Sequence, residues 1–168
     1  KISGDLSTVV GGSTLPPAIW MDTPIEQFEQ INLPIMVREE MVRRRSIYLP
    51  IPRTSAKFKE LDPLLPFDFP SPNEVTGARQ TSTVPTQSLF LMNHPFILEN
   101  SQSLAKRVLS EPGLNDPARI GHLFRLALGR VPRPAELKRV IEFLDASVEA
   151  DEKGTPAEKR LAAWTGFA

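Results

Sequence analysis

Proline is the residue that most constrains what this chain can fold into. The sequence has 17 prolines in 168 residues, about twice the ~5% share of an average protein. Because proline fixes φ and has no backbone N–H, it disrupts helix interiors and central strands but suits turns, sheet edges and the first turn of a helix. The proline-rich first half is therefore predicted to be mostly turns and extended segments, whereas later prolines are predicted to open helices.

The first 52 residues have a broken, β-like pattern. The segments LSTVV, NLPIMVR and RSIYLPI are short, rich in β-prone residues, and interrupted or followed by glycine or proline. Pro50 and Pro52 would confine their segment to the edge of a sheet, because they cannot donate to a strand ladder. The pattern predicts two or three short strands in this region.

Residues 63–73, with the sequence PLLPFDFPSPN, contain too many prolines for a regular element. We call this segment the strap and predict that it is a fixed, irregular loop. Phe67 and Phe69 are too apolar to remain in water. They are predicted to pack against the helix that carries Leu89, Phe90 and Leu91.

From about residue 83 onward, apolar residues recur with the 3.6-residue period of a helix. Pro95, Pro134 and the pair Asp116-Pro117 are predicted to open helices, Gly129 to end one, and the Thr155-Pro-Ala-Glu158 segment to form a capping box. The predicted buried stripes are Leu104, Ala105 and Val108; Ile120, Leu123, Phe124, Ala127 and Leu128; and Leu137, Val140, Ile141 and Leu144, while Phe143 is also assigned to the core.

The predicted fold is mainly α. Residues 83–168 are expected to form a bundle of four to five helices, and residues 1–82 a proline-rich part with a few short β-strands. At this length one domain is the expected number, so residues 1–168 are predicted to be a single domain. Because the sequence begins at Lys1 and stops within a helical pattern, we expect it to be part of a larger protein.

Composition excludes several classes of function. Twenty Lys and Arg residues balance twenty Asp and Glu residues, so no net field attracts nucleic acid. The absence of cysteine excludes disulfides, thiolate metal sites, cysteine nucleophiles and covalent c-type haem within this sequence. No apolar run approaches the ~18 to 20 residues that span a bilayer. We therefore expect no nucleic-acid partner, no membrane span and no cofactor in this sequence.

Four motifs occur in order: RRSIYLPIPR, FDFPSPNEVTGAR, TSTVPTQSLFLMNHPFI and HLFRLALGRVPRPAELKRVIEFL. Together they resemble the C-terminal planctomycete-specific domain of unknown function, over about residues 43–144. The resemblance implies a domain of a large exported or cell-surface protein, often with c-type cytochrome-like segments and a companion domain. It transfers no catalytic residue to this sequence.

Clustered arginines are one candidate ligand-binding feature. Guanidinium groups bind phosphate, sulfate or carboxylate in a bidentate manner, so Arg45 and Arg79 could bind an anionic carbohydrate. The favoured alternative is internal pairing with carboxylates. The residues concerned are Arg43, Arg44, Arg45, Arg53 and Arg79 as donors, and Asp62, Asp68 and Glu74 as acceptors.

Asp68 and His94 are the candidates for acid–base chemistry or ligand binding. A carboxylate pair around the strap could act as general acid and base, but carboxylates in such loops commonly accept turn N–H groups. His94 lies at a helix junction, and His122 is the only other histidine. A structural role for His94 is favoured over a metal or proton-transfer role.

The sequence favours a non-catalytic interaction or structural module of a large exported surface protein, with companion domains of the same protein as partners. The alternative is an accessory part of a carbohydrate-processing or cytochrome-linked redox assembly. In that alternative Arg45, Arg79, Asp68 and His94 form an anionic-ligand site. An open pocket lined by Arg45, Arg79 and Asp68 would favour it.

Overall fold

The structure is a computed structural model that describes residues 1–12, 43–48, 63–71, 73–78 and 82–168. Within these ranges lie five α-helices and no strand, so the prediction of a mainly helical fold is confirmed. The helices are α1 (Pro85–Asn93), α2 (Pro95–Leu109), α3 (Asp116–Leu128), α4 (Pro134–Ala150) and α5 (Pro156–Phe167). None of them is long and apolar enough to cross a membrane.

The predicted N-terminal strands are wrong where the structure describes them. Residues 6–10 have no regular structure, and Ser46–Tyr48 forms a 3-10 helix. The Tyr48 N–H donates to the Arg45 carbonyl at 2.9 Å, which is a local bond rather than a ladder bond. β-Prone residues favour a strand only when a neighbouring strand is present to pair with them. The remaining predicted strand residues, within 13–42 and 49–52, lie outside the described residues.

The chain divides into two compact units. The helical unit consists of Lys1–Asp5 and Asn93–Ala168, and the loop unit consists of Leu6–Met92. The helical unit contains α2 to α5, and the loop unit contains the strap and most of α1. The prediction of one domain with a boundary near residue 82 stays a prediction.

The core of the helical unit is built around α5. This helix packs more extensively than any other against its neighbours α2 and α4. Its Trp164 side chain is 1% exposed, and the Phe167 ring lies 5.9 Å from the indole and 6.3 Å from the Phe124 ring. The buried apolar residues are Leu104, Ala105, Val108, Ile120, Leu123, Phe124, Leu144, Ala163 and Trp164.

The predicted stripes are confirmed for most positions and wrong at three. Leu128 is 59% exposed and Ala127 is also exposed, because α3 ends there and the chain turns at Gly129 with φ of 67°. Phe143 is 44% exposed, and its ring lies near Gly166 of α5, where an added Cβ would come into van der Waals contact with it. Phe143 therefore lies at the margin of the α4–α5 contact, on one side of the apolar stripe of α4.

The first residues of the chain are attached to α2. The Ser3 hydroxyl donates to Asn100 Oδ1 at 3.0 Å, and Arg107 donates to the Ile2 carbonyl at 2.8 Å. Asn100 in turn donates to the Phe96 carbonyl at 2.7 Å. These bonds place the N-terminal residues within the helical unit.

The capping box of α5 is formed as predicted. Thr155 Oγ1 accepts from the Glu158 N–H at 3.3 Å, and the Glu158 carboxylate accepts from the Thr155 N–H at 2.7 Å. The bond from the Thr155 N–H, with the bond from its hydroxyl, lowers the pKa of Glu158. The box satisfies N–H groups that have no partner inside the helix.

The corner between α3 and α4 is fixed by Glu136. Its carboxylate accepts from both terminal nitrogens of Arg130 at 2.8 Å and from the Arg133 N–H at 2.8 Å. The Arg130 bonds, followed by the Arg133 bond, lower the pKa of Glu136 from 4.5 to about 2. The Arg130 guanidinium also lies 5.4 Å from the centroid of the Phe124 ring, so the corner is joined to the core.

Trp164→Ala is expected to lower the free energy of unfolding by about 3–5 kcal/mol, the usual loss for a buried aromatic side chain. Urea unfolding followed by the helical circular dichroism signal measures this loss, and Trp164→Phe should give a smaller one. Leu128→Ala is the control, because that side chain is exposed and its loss should change stability by no more than about 0.5 kcal/mol. A Trp164→Ala loss below about 1 kcal/mol would contradict the central position of α5.

Glu136→Gln is expected to change the acid sensitivity of the fold. Because its pKa is lowered on folding, the Glu136 carboxylate stabilises the fold fully above its ordinary pKa of 4.5 and loses this effect as the pH falls towards about 2. The stability difference between wild type and Glu136→Gln should therefore shrink across that interval in urea unfolding experiments. The control is Glu142→Gln on the same helix, where the contact with Lys138 is a 3.7 Å surface pair. A difference that stays constant over this pH range would rule out the proposed role of Glu136.

Candidate functional site

Three of the four residues predicted to form a ligand site lie among the described residues. Arg45 and Asp68 belong to the loop unit and His94 to the helical unit, while Arg79 lies outside the described residues. A cavity of about 300 Å³ beside Asp68 is lined by the strap and by Glu74. Arg45 is not among the described residues that line it.

Arg44 is a buried arginine of the predicted cluster, and its side chain contacts other parts of the loop unit. It is 5% exposed, its Nη2 donates to the Gly11 carbonyl at 2.5 Å, and its guanidinium lies 4.7 Å from the centroid of the Tyr48 ring. The Arg43 carbonyl also accepts from the Ser7 N–H at 2.8 Å. We call residues Arg43–Tyr48 the arginine turn, and these contacts join it to residues 7–11 of the loop unit.

Arg43 and Arg45 have a different environment from Arg44. Both are exposed, and so is Glu74. None of these three side chains makes a hydrogen bond or an ion pair in the part of the chain that the structure describes. Arg43 and Arg45 therefore do not pair with Asp68 or Glu74, and the predicted internal pairing is wrong for these described combinations. Pairs that involve Arg53, Asp62 or Arg79 lie outside the described residues.

Asp68 joins the strap to the start of α1. Its two carboxylate oxygens accept from the Ser82 N–H at 2.8 Å and from the Ser82 hydroxyl at 2.7 Å. Gln87 of α1 donates to the Pro66 carbonyl at 3.0 Å and to the Ser82 carbonyl at 3.2 Å. Asp68 has φ of 56°, a left-handed conformation that aspartate tolerates better than most residues. The side chain therefore fixes backbone where a ligand was predicted.

The strap also contacts α1 through aromatic rings. The Phe67 and Phe90 ring centroids are 5.9 Å apart at an interplanar angle of 86°, an edge-to-face geometry favoured by aromatic pairs. The prediction that Phe67 packs against this helix is confirmed. Ser82 and Gln87 were missed by sequence analysis, because a serine and a glutamine near a helix start have no distinctive pattern.

His94 is the N-cap of α2. Its backbone is extended, with φ of −72° and ψ of 132°, and its Nδ1 accepts from the Phe96 N–H at 3.2 Å. A ring nitrogen that accepts a hydrogen bond carries no proton. This contact gives His94 a role at the start of α2, and its predicted ligand-binding role stays a prediction. Within the described residues, no group of three or more His, Asp or Glu side chains could hold a metal ion.

A second site, which sequence analysis missed, lies in the helical unit. It is a cleft of about 600 Å³. Val148, Pro156 and Ala157 contribute accessible apolar surface to it, and the buried Leu144 and Trp164 also line it. Its charged residues are Asp116, Asp145, Glu149 and Arg160. We call it the acidic cleft. The i, i+4 spacing of Asp145 and Glu149 on α4 was a signal for it, but the pattern resembles any solvated helix face.

The charges of the acidic cleft are only partly compensated. Arg160 donates to Asp116 Oδ1 at 2.5 Å, and Asp116 also contacts Arg119 at 3.4 Å. Asp145 and Glu149 are exposed, and neither makes a hydrogen bond or an ion pair within the described residues. The cleft therefore has two carboxylates that are free to interact with a ligand.

The described part of the chain thus contains five helices that each have a proline in the first turn, with the single residue His94 between α1 and α2. Residues 1–144 match the family described as PSD1, a protein of unknown function (DUF1553), and the chain belongs to that family. The match includes the arginine turn, the strap and α1 to α3, and it ends within α4. Searches of curated proteins and of solved structures found no significant match.

His94→Ala is expected to destabilise the protein by about 1 kcal/mol, the typical loss of an N-cap side chain. His94→Asn should recover most of this loss, because asparagine is among the best N-cap residues. Thermal and urea unfolding of both variants measures the effect. Equal destabilisation by alanine and asparagine would mean that His94 is needed for something other than the cap.

Proposed function

We propose that this chain is a structural and interaction module of a larger exported surface protein of the planctomycete type, with companion domains of the same protein as its partners. The main support for the proposal is that the side chains of Asp68 and His94 form hydrogen bonds with the backbone. Both side chains hold backbone N–H groups, Asp68 at Ser82 and His94 at Phe96. A role in folding accounts for both residues without any reaction.

Participation in chemistry would require these bonds to break. Leaving a partly buried N–H without its acceptor costs about 1–3 kcal/mol. Ser82 would lose bonds to both its N–H and its hydroxyl if Asp68 turned towards a substrate. Asp68 is therefore better suited to fix the strap than to exchange protons.

Exposed apolar side chains offer surface for contacts between domains. Leu91 and Met92 of α1 are 50% and 67% exposed. In the helical unit, Leu128, Val131 and Phe143 are exposed by 44% or more. Single exposed apolar residues are common on any protein surface, so the adjacent pair on α1 gives the stronger support.

A second candidate function is recognition of an anionic carbohydrate by the arginine turn. The observation that favours it is that Arg43 and Arg45 are exposed and make no ion pair within the described residues, while Arg44 between them is held by Gly11 and Tyr48. Two exposed guanidinium groups on a fixed turn suit a sulfate or uronate group. With this ligand the chain would be an accessory part of a carbohydrate-processing or cytochrome-linked assembly.

Calorimetry with flanking segments of the same gene product tests the leading proposal, and we expect binding in the micromolar range or tighter, about −8 kcal/mol. Sulfated and uronate-bearing oligosaccharides are tested in parallel for binding and for turnover. Turnover that is lost on Asp68→Asn or His94→Asn would overturn the non-catalytic proposal.

Arginine variants separate the two candidates. Oligosaccharide binding without turnover, weakened by Arg45→Ala but unchanged by Arg139→Ala, would favour recognition of an anionic ligand. Arg139 is the matched control because it is an exposed arginine on α4, away from the arginine turn in sequence. Binding of the flanking segments that is indifferent to Arg45→Ala would favour the structural module.

A further inference from the structure

We infer that the acidic cleft is the docking site for a basic, partly apolar peptide segment of a partner, an inference that rests on the proposed role as an interaction module. The cleft combines apolar surface with uncompensated negative charge. Val148, Pro156 and Ala157 provide accessible apolar surface beside the buried Leu144 and Trp164. The charged residues of the cleft carry three carboxylates and one guanidinium. A segment with alternating lysine or arginine and apolar residues matches both.

The net charge of the cleft indicates that its partner carries positive charge. Three carboxylates and one guanidinium line the cleft, and Arg119 contacts Asp116 from outside the lining, so the local charge is −1 on a chain whose net charge is zero. Arg160 is already bonded to Asp116, so the charge at Asp145 and Glu149 is not neutralised by the described part of the chain. Complementary charge favours encounter with a cationic partner and disfavours an anionic one.

The volume of the cleft sets the size of the segment. About 600 Å³ is within the range of pockets that hold a small ligand or a few side chains. Long basic side chains place their aliphatic stems on apolar surface and their charge in water. An arginine or lysine can thus contact Val148 with its stem and Asp145 or Glu149 with its charged group, while a neighbouring leucine occupies the apolar part.

The test uses the unaltered chain and an end-capped hexapeptide of alternating leucine and arginine, titrated by calorimetry. The Trp164 indole N–H signal in NMR spectra reports whether the peptide binds at the cleft, because binding there should shift this signal. Asp145→Asn combined with Glu149→Gln should weaken binding about fivefold to tenfold, as expected for two surface ion pairs. The matched control is Glu142→Gln, on the same helix but outside the cleft, and it should change the Kd less than about twofold.

Control ligands establish the chemistry of the segment. Replacement of the arginines by glutamine, or of the leucines by serine, should abolish measurable binding. The inference is overturned if the double variant binds like the wild type, if the Trp164 signal does not shift, or if the serine peptide or free arginine amide binds as tightly as the original peptide.

The same variants separate this inference from the proposed function. If flanking segments of the gene product bind equally to wild type and to the double variant, the cleft assignment is wrong and the interaction module stands. If neither the peptide nor any flanking segment binds, both are wrong. If flanking segments bind and the double variant weakens them by a similar factor, the cleft is their docking site.

Discussion

The Trp164 side chain is the part of the helical unit on which most of the rest depends. It is the largest residue of the core and is 1% exposed, and α5 carries it into contact with α2 and α4. The core has few other large side chains, so loss of one indole would remove much of the buried apolar surface. Trp164 also lines the acidic cleft. The same residue therefore couples the stability of the bundle to the shape of the proposed docking site.

The polar residues that invited a chemical interpretation follow from a simpler requirement. A chain with many prolines and short helices has many helix starts, and each start leaves backbone N–H groups that need acceptors. His94, Asn115 and Thr155 accept from these groups at the starts of α2, α3 and α5, and Glu136 supports the start of α4. His94, which the sequence offered as a candidate for ligand binding, thus has the same role as Asn115 and Thr155 at the start of a helix.

The helices and their ends could be predicted because both follow local rules. A proline in the first turn, Gly129 in the left-handed region and the Thr155–Glu158 box each depend on residues close in sequence. The short strands were predicted wrongly where the structure describes them, because a strand needs a neighbouring strand that a local pattern does not reveal. Ser46–Tyr48 instead forms a local 3-10 turn. Exposure of Leu128 and Phe143 escaped prediction for a related reason, since periodicity defines a face of the helix but does not indicate where its neighbour ends.

The candidate site was the least predictable part. Asp68 was identified as an important residue, but its partner Ser82 lies 14 positions away. Gln87, which donates to the Pro66 carbonyl of the strap, lies 21 positions away from it. The acidic cleft depends on side chains from α3, α4 and α5 that meet only after the helices pack. Helix α5, which contributes several residues to the cleft, lies beyond the residues that match the family. The family resemblance alone could not indicate it.

Native-state amide hydrogen exchange tests most directly whether α5 is an integral part of the helical unit. Residues in a cooperative core exchange only through global or large-scale opening, whereas a loosely attached helix exchanges through local opening. We expect the amides around Trp164 in α5 to exchange as slowly as those around Val108 in α2 and Leu144 in α4. Fast exchange throughout α5, with α2 to α4 still protected, would contradict the account, because the bundle would then not depend on Trp164.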